Sequence, residues 1–148
     1  MKTHSFNTEM WLKPPLEEVF SFFSDARNLE RITPPWVRFR ILTSGEIPMR
    51  LGALIDYRIR VHGVPLRWQS EITLWEPGRR FVDEQRRGPY RLWIHEHRFS
   101  AKDGGTLVED RVEYAVPGGA LVNRLFVAND VAKIFEYRKR KLEEIFPS

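Results

Sequence analysis

Cysteine is absent from the 148 residues, which removes disulfides, thiolate nucleophiles and cysteine-ligated zinc together. No apolar run approaches the ~20 residues a membrane-spanning helix needs. Met1–Asn7 lacks the apolar centre of a signal peptide, so a cytoplasmic protein is expected. Glycine-rich phosphate loops, dinucleotide fingerprints and a serine nucleophile elbow are also missing, leaving kinase, dehydrogenase and hydrolase chemistry without a motif. Charge of one sign is scarce too, because 24 Lys and Arg face 20 Asp and Glu. The basic clusters Arg79-Arg80, Arg86-Arg87 and Arg138-Lys139-Arg140-Lys141 lie among acids such as Glu136, Glu143 and Glu144. That interleaving describes a solvated surface rather than a nucleic-acid face.

Aromatic residues, by contrast, are plentiful, with 5 Trp and 10 Phe; such a set can line a ligand cavity as well as fill a core. The length suits one domain over residues 1–148. Ser5–Lys13 reads as a first strand with Phe6, Met10 and Trp11 as buried candidates, ended by Pro14-Pro15. Leu16, Val19, Phe20 and Phe23 then follow the spacing of one helical face, with Pro15 suited to the helix start. Ser24 and Asp25 can cap a second short helix, which Thr33-Pro34-Pro35 stops.

From Trp36 to Pro117 the apolar period is two. Val37, Phe39 and Ile41 alternate with arginines, and Ile55, Tyr57, Ile59 and Val61 alternate with Asp56, Arg58, Arg60 and His62. Leu66, Trp68, Ser70, Ile72 and Leu74 form the dry side of the next strand, and Phe81, Asp83 and Gln85 that of the one after. Tyr90–Ser100 and a last strand with Val108, Asp110, Val112 and Tyr114 inward complete the set. One wet and one dry face predicts an antiparallel sheet packed on one side. After Pro117-Gly118-Gly119 a long helix is expected from about Ala120 to Ile145, striped by Leu121, Leu125, Ala128, Val131 or Ala132, Phe135, Leu142 and Ile145. Its stripe has the concave dry face to cover. The fold class is therefore α+β, a curved antiparallel sheet of about seven strands around a long C-terminal helix, with two short helices after the first strand.

That order, together with Ala26-Arg27-Asn28-Leu29-Glu30, Ile32-Thr33-Pro34-Pro35, Trp75-Glu76-Pro77, Gly88-Pro89-Tyr90, Trp93-Ile94-His95-Glu96-His97 and Tyr137-Arg138, resembles the START-like (SRPBCC) superfamily over the whole chain. This is the helix-grip fold of the birch pollen allergen and bacterial polyketide cyclases, and the similarity is greatest to a bacterial subgroup. The resemblance implies a cavity for lipids, sterols, polyketides or similar molecules, with catalysis in only some members. Some relatives carry a cell-division-inhibitor label that belongs to a neighbouring or fused epimerase-like domain, and nothing in this chain supports it.

The alternation places polar groups on the dry face, where a carboxylate is costly unless paired. Asp83 and Asp110 need partners, and His95 and His97, two apart on one strand, are the candidates. The direction of that strand is open, because its other face carries Leu92 and Ile94 beside Glu96 and Arg98. Three readings follow from inward histidines: a structural network polarising one pocket wall; acid–base catalysis with His95 or His97 as proton shuttle, oriented by Asp83 or Asp110; and a metal site of His-x-His plus a carboxylate. The first is adopted, so no metal and no cofactor are expected. The ligand-binding set is Tyr57, Trp68, Ile72, Phe81, Asp83, Gln85, Trp93, His95, His97, Asp110 and Tyr114, with Leu121 and Phe126 in a segment, Gly118–Val127, that could act as a gate. The enzyme alternative is a cyclase or dehydratase using His95, Asp110 and Asp83. A chaperone-assisting module that binds protein through Arg58, Arg60 and Arg67 is the third class.

Overall fold

The structure, a computed structural model, describes residues 1–147. Period-two segments become seven strands: β1 (His4–Leu12), β2 (Arg40–Ile41), β3 (Leu54–Val61), β4 (Val64–Glu76), β5 (Arg80–Arg87), β6 (Leu92–Lys102) and β7 (Gly105–Ala115). They form one antiparallel sheet in the order β1-β7-β6-β5-β4-β3-β2. Helices α1 (Leu16–Phe23) and α2 (Asn28–Arg31) follow β1. At the C-terminus α3 (Gly119–Val122), a π-helical turn at Asn123–Val127 and α4 (Ala128–Ile145) run as one long helix. No helix among the described residues is long and apolar enough to cross a membrane.

The core sits on the concave face. Val19, Phe20 and Phe23 of α1 pack on Phe81, Phe99 and Val108 of the sheet. Val131, Phe135 and Leu142 are the buried line of α4, at spacings of four and seven that keep one helical face. The β3–β4 hairpin closes through His62 (φ 49°) and Gly63 (φ 82°). Two consecutive positive φ values make the tight turn that matches strand twist, and glycine accepts one of them without strain.

Four expectations are corrected. Trp36 is not in a strand, because Pro34-Pro35 starts a 3₁₀ turn at Pro35–Val37 and pairing resumes only at Arg40. Trp11 faces outward, covering Gly105 and donating its indole N–H to the Lys102 carbonyl at 2.8 Å. Leu74 pairs with Val82 on the outer side, because a bulge between Ile72 and Leu74 shifts the register and turns Trp75 inward opposite Phe81. Leu121 and Leu125 leave the apolar stripe and are exposed, whereas Val122 and Val127 pack inward. The π turn adds one residue there and rotates the helical face.

Candidate functional site

A cavity of about 820 Å³ lies between the concave sheet and α4. Its aromatic wall follows from alternation on β3, β4 and β6. Trp68 stacks on Tyr57 at 5.9 Å and meets Trp93 edge-on at 5.4 Å, and Tyr90 packs 4.8 Å from Trp93. Ile55, Ile59, Ile72 and Phe81 continue the wall, and Val131, Ile134 and Phe135 of α4 face it. Ser70 is a buried hub, accepting the Trp68 indole N–H and sharing a hydrogen bond with the Tyr57 hydroxyl, both at 2.9 Å. Exposed residues mark where the cavity meets solvent: Trp36, Val61, His62, Lys133 and Glu136. There His62 Nε2 lies 2.8 Å from Asp130 Oδ2, linking the β3–β4 turn to α4.

The polar groups converge on β5, β6 and β7. Asp83 is directly opposite His95, and Asp110 directly opposite His97, yet the side chains pair along the diagonals. His97 Nε2 meets Asp83 Oδ2 at 2.6 Å, and His95 Nε2 meets Asp110 Oδ1 at 2.7 Å. The two imidazoles stack with centroids 3.7 Å apart. An ionised carboxylate only accepts, so each Nε2 donates, and in a neutral imidazole Nδ1 is then the lone-pair nitrogen. His97 Nδ1 is buried without a partner.

Burial alone would raise the Asp83 carboxyl, but the His97 hydrogen bond and the charges of His95, His97 and Arg138 outweigh it and hold it below the usual range. Asp110 behaves alike, with burial opposed by the His95 bond and the same neighbours. The His97 imidazole is held below its ordinary value by burial and then by His95, against the pull of Asp83. Burial, followed by the Asp83 charge, pushes the Tyr57 phenol far up, so it stays a neutral donor.

Asp83, His95 and His97 have ligand atoms within 4.8 Å of one another and are the residues that could hold a metal ion. Both Nε2 atoms already face carboxylates, and rings lying face to face point their in-plane lone pairs side by side instead of at one centre. The geometry is that of a hydrogen-bonded imidazole–carboxylate cluster.

Of the expected ligand-binding residues, Tyr57, Trp68, Ile72, Phe81, Asp83, Trp93, His95 and His97 line the cavity. Asp110 lies behind them and acts on His95. Gln85 turns away from the cavity to hold the β5–β6 connection, bonding both the N–H and the carbonyl of Tyr90 at 3.1 and 2.7 Å. The Tyr114 hydroxyl donates to Asn123 Oδ1 at 2.8 Å, fixing the π turn rather than lining the cavity. Leu121 and Phe126 are 60% and 57% exposed and outside the cavity wall. The rotated turn that displaces the stripe carries Leu121 outward, and Phe126, nine residues before Phe135, falls on the opposite face of the helix.

Sequence reasoning missed Tyr90 and Arg138 as cavity residues. Tyr90 follows Gly88-Pro89, where no alternation reveals its direction. Arg138 was hidden in a basic run, although it falls three residues after Phe135 and four before Leu142, on the buried line of α4. Its guanidinium packs 5.0 Å from the Phe135 ring centroid.

Comparison with known structures agrees with this architecture. Protein CV1439 from Chromobacterium violaceum superposes with a TM-score of 0.76 at 14% identity, over 98% of this chain and 99% of that one. Ginseng major latex-like protein 151 from Panax ginseng gives 0.66 at 12%, over 99% of both chains. The nucleoside-diphosphate sugar epimerase from Corynebacterium glutamicum gives 0.70 at 26%, over 94% of this chain but 28% of that one. The likeness there is to a part of a longer protein. No curated protein matches the chain. Residues 12–136 match the family described as polyketide cyclase / dehydrase and lipid transport, and the chain belongs to that family.

Proposed function

We propose that the protein binds a hydrophobic or amphipathic small molecule in the cavity between the sheet and α4. The observation that carries this reading is the cavity itself, about 820 Å³ walled by Trp68, Trp93, Tyr90 and Tyr57, with the buried polar cluster of Asp83, His95 and His97 at one side and charged residues at the mouth. That volume lies within the range of small-molecule sites, and apolar walls with a few converging polar groups are their usual construction. Native mass spectrometry of protein purified without added ligand, followed by solvent extraction, tests it. A retained hydrophobic molecule is the expected result. Protein that emerges empty and also fails to take up hydrophobic fluorescent probes would overturn the reading.

A second reading, acid–base catalysis of the cyclase or dehydratase kind, is favoured by the two buried imidazole–carboxylate pairs. Asp110 orients His95 through Nε2 and leaves Nδ1 as the base; this is the arrangement by which a carboxylate sets an imidazole for proton transfer. His95→Ala would then abolish turnover of a polyketide-like substrate while binding survives, and unchanged turnover would sink the catalytic reading.

A further inference from the structure

Unlike the exposed cations of the cavity wall, Arg60, Lys133 and Arg140, Arg138 is half-buried. Its Nε and Nη1 are buried and lack any hydrogen-bond partner, and no carboxylate among the described residues lies within ion-pair distance of it. Asp83 and Asp110 are already engaged by His97 and His95. Guanidinium N–H groups buried without an acceptor are disfavoured unless an anion or a strong acceptor completes them. The side chain projects from the inward face of α4, between Phe135 and Leu142 on the apolar stripe. Through Phe135 (5.0 Å), His95 (5.4 Å from Phe135) and Trp93 (6.3 Å from His95) it is continuous with the aromatic wall.

We propose that Arg138 anchors the carboxylate of an amphipathic ligand, whose apolar body lies along Trp93, Tyr90 and Trp68. The inference rests on the ligand-binding reading above and names the ligand's chemical class. A carboxylate matches the planar fork of a guanidinium, and the pair forms strong charge-assisted hydrogen bonds. The two nearby aspartates favour a monoanion over a dianionic phosphate, since a second negative charge would face both. The competing arrangement is a water joining Arg138 to Asp110. The space they share with Thr8 and Met10 is about 10 Å³, at the lower limit for one water.

The test uses two probes with the same body, 1-pyrenebutyric acid and 1-pyrenebutanol, titrated at pH 7.5, where the acid is ionised. Energy transfer from tryptophan reports binding. The wild type is expected to prefer the acid by about tenfold or more, the value of a good charge-assisted pair. Arg138→Met should bring the acid down to the alcohol's affinity and leave the alcohol within about twofold. Arg138→Lys, which keeps the charge, should retain part of the preference. Unliganded Arg138→Met should melt no lower than the wild type, because it removes two buried nitrogens that lack a hydrogen-bond partner. Alcohol and acid binding equally to the wild type would overturn the anchor and leave the cavity reading standing. Failure of both probes would remove the cavity reading and the anchor with it. A large loss of stability in Arg138→Met, or its failure to fold, would assign Arg138 to a water-bridged pair with Asp110 and overturn the proposal.

Discussion

The depressed His97 imidazole makes the stability of the fold depend on pH in a window where carboxylates do not titrate. In the unfolded chain His97 titrates near 6.5, whereas in the folded protein burial and the stacked His95 hold it lower. Between the two values the unfolded state binds more protons, so stability is full above pH 6.5 and falls as the solution is acidified through the folded value. Each pH unit inside that window costs up to ~1.4 kcal/mol for one group. Going from pH 7.5 to 5.5 should therefore lower stability by at most ~1.4 kcal/mol, or roughly 4 °C in Tm for a chain of this length. Urea unfolding followed by tryptophan fluorescence at the two pH values measures it. His97→Gln keeps an N–H for Asp83 and removes the titration, so the pH dependence should shrink by that amount even if the variant is less stable overall. A wild type equally stable at both pH values, or a His97→Gln protein with an undiminished loss, would refute the reasoning. Asp83 and Asp110, held below their ordinary 3.8, add a separate loss that begins only as the pH falls below that value.

Other consequences follow from single contacts. Ser70→Ala strips the buried acceptor from the Trp68 indole and the partner from the Tyr57 hydroxyl, so chemical denaturation should show a loss of about 2 kcal/mol. Arg40, Arg58 and Arg67 stand side by side on the outer face of β2, β3 and β4, where like charges directly opposite repel. Arg58→Glu should raise Tm by about 1–2 °C at low salt, an effect that salt diminishes. His62→Ala opens the contact with Asp130 at the cavity mouth. Stopped-flow mixing should then show faster association of a pyrene probe, with Tm changed little because the pair is exposed; an unchanged rate would mean the contact does not limit passage.

Much of this protein was determined locally. Alternation of apolar and polar residues set the strands and their wet and dry faces, proline pairs set where β1 and α2 end, and the i, i+3, i+4 spacing of Val19, Phe20 and Phe23 set α1. Each of these signals acts through neighbours in the chain, so it can be read without a third dimension. The same alternation singled out Tyr57, Trp68, Phe81 and Asp83 for the cavity, since a residue's parity on a strand decides its face.

What required the tertiary structure is everything that depends on who sits opposite. β6 has His95 and His97 on one face and Glu96 and Arg98 on the other, and its direction was settled by a partner, Arg80, which binds Glu96 at 2.9 Å on the outer side. The diagonal pairing of the histidines with Asp110 and Asp83 depends on side-chain rotamers across three strands, which no spacing encodes. The bulge that exchanges Leu74 for Trp75 and the π turn that expels Leu121 each insert one residue into a regular repeat. A periodic pattern read through such an insertion assigns every later residue to the wrong face until something resets it. Arg138 shows the limit from the other side: its position on the α4 stripe was legible, but only the packed helix reveals that a charge in a basic run points inward and lacks a partner.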